Sequence, residues 1–185
     1  MTSEPRARRA RPAPAPAYDP RARHLRVFSQ ALGVEKGCYV FVPPELKRDA
    51  ALRVPSLYLF RGHEREWVNP SEDASRGGRT VIDTYLELRA RDAIGPMILV
   101  FPGISSDDNH IPGLLVNWRA PELAQGRAGV GTGRFEDYLV QDLIPYIDSV
   151  FPTIADGRHR GVGGFSLGGF MAFKIAAQHP QLFAS

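Results

Sequence analysis

The chain of 185 residues predicts an α/β fold with a mostly parallel sheet, and two patterns lead to that prediction. From Leu25 onwards, short apolar runs alternate with segments in which apolar side chains recur at helical spacing. A glycine-flanked serine, Gly164-Phe165-Ser166-Leu167-Gly168-Gly169, then joins a short strand pattern to an alanine-rich helix pattern. Because strands that alternate with helices form parallel sheets covered on both faces, this architecture is expected here.

The beginning of the chain predicts no folded structure. Residues 1–23 are rich in Arg, Pro and Ala, and such a composition cannot bury enough apolar surface to fold. We therefore expect a disordered leader over residues 1–23 and a single domain over residues 24–185. The basic leader either is attracted to an anionic surface or is merely a solvated tail.

Charge and composition narrow the function classes. Residues 1–26 hold seven of the 23 basic and two of the 20 acidic residues, so this segment carries +5 and the remainder −2. A basic face for nucleic acid is therefore not expected on the folded part.

The sequence has no signal-peptide h-region and no stretch long enough to span a bilayer, which predicts a cytoplasmic protein without membrane association. The single cysteine, Cys38, excludes an internal disulfide and a cysteine metal site, and no cofactor is predicted.

Four apolar segments within residues 25–101 predict strands. Leu25–Ser29 and Cys38–Val42 flank a glycine-containing connection, which is typical of a β-hairpin. Val54–Phe60 and Met97–Phe101 are almost continuous apolar runs, as expected for strands that are buried on both faces.

Three helices and one more strand complete the pattern. Apolar residues share one face over Thr80–Ala90 and, more regularly, over Arg134–Val150, where Pro145 predicts a kink because proline lacks the N–H of a helical hydrogen bond. His159–Gly164 is then expected to be a short strand, and Leu167–Gln178 a helix whose alanines allow close contact with the sheet.

The strand, serine and helix together predict a nucleophile. Gly164 and Gly168 give a sharp strand-to-helix turn the clearance that it needs, so Ser166 can stand above the carboxyl end of the sheet. The Leu167 N–H, at the start of a helix, can stabilise the negative charge that develops on an acyl oxygen. A glycine-rich turn that only packs a helix on a strand is the structural alternative.

The loop after the third predicted strand offers a second oxyanion donor. Arg61-Gly62-His63 stands where an α/β-hydrolase presents a backbone N–H to the substrate oxygen, so we predict the N–H groups of His63 and Leu167 as the pair. The imidazole of His63 is a weaker candidate for the catalytic base. The loop has to turn its amide toward the oxyanion, and this leaves the direction of the side chain unspecified.

A long connection over residues 103–133 follows the fourth predicted strand and is expected to overhang Ser166. A metal site at Asp107, Asp108 and His110 is a weak alternative, because neighbouring carboxylates on a loop are more often turn residues. No metal is therefore predicted. The candidate substrate-pocket residues are His110, Trp118 and Arg119.

The elbow at Ser166 and the turn from Arg61 to His63 resemble those of an esterase family within the α/β-hydrolase superfamily. This family includes esterase D, S-formylglutathione hydrolases, feruloyl esterases and mycolyltransferases. The resemblance covers about Leu25 to Ser185 and implies the α/β-hydrolase fold, Ser166 as the nucleophile and the two predicted oxyanion donors. It departs from the family at Arg61, where members often carry His or Asp. The stretches that carry it are Leu57 to His63, Asp142 to Ile147, Gly164 to Phe170 and His179 to Ala184.

The resemblance implies a serine esterase that forms an acyl-enzyme from a small-molecule carboxylic ester or thioester. In this fold the triad Asp and His follow the serine, and the chain reaches Ser185 before the strands that carry them. Distance excludes His159 and His179 as the base, and His24 precedes the first strand, which leaves His63 and His110 on loops at the carboxyl ends of strands. We expect poor solubility and little turnover from this polypeptide alone. An acyltransferase and an inactive truncated fragment are the alternatives, and the oligomeric state is not predicted.

Overall fold

The computed structural model describes residues 18–72 and 77–185, so most of the predicted leader, residues 1–17, lies outside the described part. The boundary predicted at residue 23 is too late. The Asp19 side chain is buried, and the Asp19 N–H donates to the Val68 carbonyl at 2.7 Å. This contact attaches residues 18–23 to the folded domain, which composition alone could not indicate.

Five strands form one sheet in the order β1-β2-β4-β3-β5. The hairpin of β1 and β2 is antiparallel, as predicted, and β2 also pairs antiparallel with β4, whereas β3 pairs parallel with both β4 and β5. The α/β fold is therefore confirmed, with a mixed sheet in which the hairpin supplies the antiparallel part. The strands are β1 Ala22–Ser29, β2 Val34–Phe41, β3 Ser56–Phe60, β4 Ile98–Pro102 and β5 Arg160–Gly164.

The helices lie where the apolar periodicity places them, and the expected irregularity at Pro145 takes a specific form. The turns before Pro145 are π-helical, with the Ile144 N–H donating to the Leu139 carbonyl. This wider turn relieves the crowding between the proline ring and the carbonyl four residues earlier. The helical segments are α1 Val81–Ala90, α2 Phe135–Asp137, the π-helix Tyr138–Leu143, α3 Ile144–Val150 and α4 Leu167–Gln178.

Apolar side chains cover both faces of the sheet. On one face, Tyr58 and Val100 lie in a cluster with Ile147 of α3 and Ile175 of α4, and each of these side chains is fully buried. A second cluster, around Phe101, contains residues of α1 and covers the other face. Strands buried on both faces have near-continuous apolar sequences, which explains the runs that predicted β3 and β4.

Cys38 lies on β2 with no exposed surface. Burial raises the pKa of its thiol well above the usual value, because a buried thiolate would lose its hydration. We therefore expect no reaction with Ellman's reagent in the folded protein and one equivalent of thiol in urea, measured by absorbance. Rapid reaction without denaturant would contradict the buried position.

The outer edge of β5 carries backbone contacts with the last residues of the chain. The Ala184 N–H donates to the Arg160 carbonyl at 3.0 Å, and the Val162 N–H donates to the Ser185 carbonyl at 2.7 Å. Phe165, which precedes Ser166, and Phe170 and Phe173 of α4 are 60%, 55% and 79% exposed. The expected poor solubility stays a prediction.

No helix within residues 18–72 and 77–185 is long and apolar enough to cross a membrane.

Candidate active site

Ser166 has the backbone of a nucleophile elbow. It lies between β5 and α4 with φ 54° and ψ −119°, a conformation that residues with a side chain rarely adopt. Such strain costs about 1–3 kcal/mol and persists only where the surrounding structure imposes it, most often at functional sites. The residue is also solvent-exposed, so its hydroxyl is accessible.

Two glycines impose this conformation. A Cβ at Gly164 would lie 2.2 Å from the carbonyl carbon of Gly168, and a Cβ at Gly168 would lie 1.9 Å from the Phe60 carbonyl oxygen. Both distances are far below van der Waals contact, so any side chain would force α4 away from the sheet. The spacing that predicted the elbow therefore reflects a close approach of backbones at both positions.

The start of α4 places backbone donors directly after the serine. The N–H groups of Gly169 and Phe170 donate to the Ser166 carbonyl at 3.0 and 3.2 Å, which fixes the first turn. The Leu167 N–H precedes them, in the part of the helix where N–H groups have no intrahelical acceptor. The position of Leu167 therefore suits the oxyanion role that the sequence predicts for it.

The turn Arg61-Gly62-His63 lies next to the elbow. Phe60 of β3 is paired with Gly164 of β5, and the Phe165 N–H donates to the Phe60 carbonyl at 3.3 Å. The Arg61 guanidinium lies 4.6 Å from the centroid of the Phe165 ring, within cation–π range. The two loops that were predicted to form an oxyanion hole are therefore neighbours at one edge of the sheet.

The backbone N–H of His63 already has an acceptor. It donates to Glu66 Oε1 at 2.6 Å, in a capping box at the start of the short helix Glu64–Trp67. The other carboxylate oxygen of Glu66 accepts from Arg61 Nε at 2.9 Å. Sequence reasoning missed Glu66, although its position three residues after His63 matches the spacing of a capping box and would have been a usable signal. The predicted second donor of the oxyanion hole is therefore hydrogen-bonded to Glu66 within the chain.

The imidazole of His63 is engaged with Glu64. Its Nδ1 lies 2.8 Å from Glu64 Oε2, and both side chains are mostly buried. Burial by itself raises the pKa of the Glu64 carboxyl, but the hydrogen bond and charge of His63 lower it below its usual value overall. His63 and Glu64 line a cavity of about 360 Å³ whose walls do not include Ser166. This orientation gives the imidazole no contact with the nucleophile.

Of the loop residues predicted to form a pocket, Trp118 is engaged within the protein. Its indole N–H donates to the Gly113 carbonyl at 3.2 Å, and its ring packs 5.6 Å from that of Phe135. His110 and Arg119 are solvent-exposed. A substrate contact by any of the three stays a prediction.

The Asp108 carboxylate stabilises a turn in the long loop. Asp108 accepts hydrogen bonds from the Ser106 hydroxyl and the His110 N–H, and these bonds and the neighbouring Arg127 hold the pKa of its carboxyl well below the usual value. No group of three His, Cys, Asp or Glu side chains in the described ranges could hold a metal ion. Asp108 thus has the hydrogen bonds of a turn residue, whereas Asp107 Oδ1 lies 3.6 Å from Lys36 Nζ.

The remaining histidines have other partners. All five histidines of the chain fall within the described ranges, and none of them has a hydrogen bond to Ser166 there. The ring centroids of His24 and Tyr39 are 4.5 Å apart. The other three lie near carboxylates: His110 Nδ1 is 3.0 Å from Asp108 Oδ2, His159 Nδ1 is 2.8 Å from Asp156 Oδ1, and His179 Nε2 is 2.9 Å from Glu136 Oε1.

Comparison with known proteins decides the family. The family described as "Putative esterase" matches residues 29–185. The chain belongs to this esterase family. It is 30% identical over 167 residues to Esterase MT1326 of Mycobacterium tuberculosis, a match that covers 90% of this chain and 31% of that protein. The chain therefore spans about a third of the length of this curated relative.

Solved structures agree on the fold of this family member. A ferulic acid esterase is 25% identical with a TM-score of 0.68, covering 90% of this chain and 57% of that one. The S-formylglutathione hydrolase FrmB of Staphylococcus aureus is 16% identical with a TM-score of 0.55, covering 88% of this chain and 54% of that one. Both confirm that these residues form part of an α/β-hydrolase fold.

Proposed function

We propose that this member of the esterase family carries the nucleophile and oxyanion donors of a serine esterase. Ser166 Oγ attacks the carbonyl carbon of a carboxylic ester or thioester, and the N–H groups of Leu167 and His63 stabilise the resulting oxyanion. The backbone of Ser166 carries this proposal, because a strained, exposed residue between a parallel strand and a helix is typical of a functional site.

The general base is proposed to come from outside these residues. Each of the five histidines is engaged elsewhere, and removing the base from a serine hydrolase leaves only binding and oxyanion stabilisation. Acylation of Ser166, the first step, is still possible if a base in solution replaces the general base of the protein. Serine Oγ forms a bond to the acyl carbon, the alcoholate leaves, and the serine proton passes to the added base.

Imidazole provides such a base. We expect p-nitrophenyl acetate to acetylate Ser166, and expect added imidazole to accelerate this acetylation severalfold, since general base catalysis then becomes possible. Intact-protein and peptide mass spectrometry locate the acetyl group, so that direct hydrolysis of the ester by imidazole does not interfere. Deacylation also needs a base, so the acetyl-enzyme formed without imidazole should persist.

The Ser166→Ala variant is the first control and should show no acetyl group on the elbow peptide. Ser149, which is an exposed helical serine, is an internal control for non-specific acetylation. Acetylation of Ser149 at the same rate as Ser166, or no response of Ser166 to imidazole, would contradict the proposed nucleophile.

A further inference from the structure

We propose that Glu66 is an internal competitor for the oxyanion hole, which blocks the His63 donor until its carboxylate withdraws. This inference rests on the proposed function, because it assumes that the His63 N–H binds the substrate oxyanion. Its starting point is the 2.6 Å hydrogen bond from the His63 N–H to Glu66 Oε1. A backbone N–H has one hydrogen, so a carboxylate on it and a substrate oxyanion exclude each other.

Arg61 also holds the carboxylate of Glu66 in place. Arg61 Nε donates to Glu66 Oε2 at 2.9 Å, and both side chains are about 15% exposed, so solvent screens the pair only partly. Gly62 makes the approach possible, since a Cβ there would lie 2.7 Å from Glu66 Oε1. The turn therefore brings a carboxylate against the donor, and a side chain at position 62 would crowd that carboxylate.

Arg61 connects this contact to the elbow. Its guanidinium lies between the Trp67 ring, at 5.4 Å from the centroid, and the Phe165 ring, at 4.6 Å. Phe165 precedes Ser166 and is 60% exposed, so an acyl group bound at the serine would meet it. A ligand that moves Phe165 thereby disturbs the guanidinium that anchors Glu66. Substrate binding and withdrawal of the carboxylate are coupled in this way.

Competition predicts a measurable difference between variants. Removing the carboxylate leaves the His63 N–H and the Arg61 guanidinium available to an anion. Charge-assisted hydrogen bonds are the stronger class, so an oxyanion analogue should bind Glu66→Ala about tenfold more tightly or better. The Glu66→Gln variant keeps an acceptor for the cap without the negative charge, and should give an intermediate affinity.

The probe is phenylphosphonate, an anion whose oxygens surround a tetrahedral phosphorus. Its binding is followed by NMR through the amide signals of His63 and Leu167 in the ¹⁵N-labelled chain. In the unmodified chain, we expect phenylphosphonate to shift the Leu167 signal and leave that of His63 nearly unchanged. In Glu66→Ala both signals should shift, with a dissociation constant about tenfold lower. Glu35→Ala removes an exposed carboxylate on β2 and should behave like the unmodified chain.

The outcomes separate the two proposals. If the His63 signal shifts equally in the unmodified chain and in Glu66→Ala, with the same dissociation constant, Glu66 does not compete and this inference is wrong. Weaker binding to Glu66→Ala than to Glu66→Gln also overturns it, because Glu66 would then support the hole. If Leu167 responds in none of the proteins, the proposed oxyanion hole itself fails.

Discussion

Replacing Gly168 by alanine is expected to destabilise the chain by about 3 kcal/mol and to abolish acetylation of Ser166. The new Cβ would lie 1.9 Å from the Phe60 carbonyl oxygen and 2.4 Å from its carbon. These are backbone atoms of a central strand, so no side chain can rotate away to relieve the clash. Overpacking of this kind typically costs about 1–3 kcal/mol, and we expect the upper end because both elements are constrained.

The adjacent glycine offers a matched control. A Cβ at Gly169 would lie 3.5 Å from the Gly164 carbonyl oxygen, which is ordinary van der Waals contact. Because alanine is the better helix former by roughly 1 kcal/mol, Gly169→Ala should be neutral or slightly stabilising. Urea unfolding followed by circular dichroism gives both free energies. Equal losses in the two variants would show that the close approach at Gly168 is not what holds the elbow.

The features that the sequence predicts well are local. The extent of α4, Leu167–Gln178, follows directly from the elbow motif and the apolar spacing after it, and the strand before it begins one residue later than expected. The elbow is readable because a sharp turn demands glycines at fixed offsets from the serine. Periodicity and turn chemistry act over a few residues, and both survive the absence of any tertiary information.

The features that the sequence does not predict depend on contacts between distant segments or on side-chain direction. Asp19 is buried against Val68, nearly fifty residues away, so composition alone put the domain boundary too late. The sequence predicts that the turn from Arg61 to His63 contributes a backbone donor, but it does not indicate that Glu66 accepts the His63 N–H. A resemblance to a family carries backbone positions more reliably than it carries the partners of a particular amide.

The second large effect is expected at the opposite end of β5. Arg160 begins that strand with a side chain only 4% exposed, and its Nη2 lies 2.6 Å from Asp148 Oδ2 of α3. Nη1 also donates to the Leu182 carbonyl at 3.1 Å. One buried guanidinium therefore links α3, β5 and the segment after α4. Asp148→Ala should cost about 3–5 kcal/mol, because it leaves a buried charge without its partner.

The exposed pair of Arg26 and Glu35 distinguishes burial from charge pairing as the cause. Its atoms approach within 3.0 Å, but both side chains are 54% exposed, so Glu35→Ala should change the free energy of unfolding by at most about 1 kcal/mol. Urea titrations of the two variants measure the difference. Should Asp148→Ala cost no more than Glu35→Ala, Arg160 would have to reach solvent or another acceptor when Asp148 is removed. The expected larger loss would mean that the strand before Ser166 is anchored at its start by one buried ion pair.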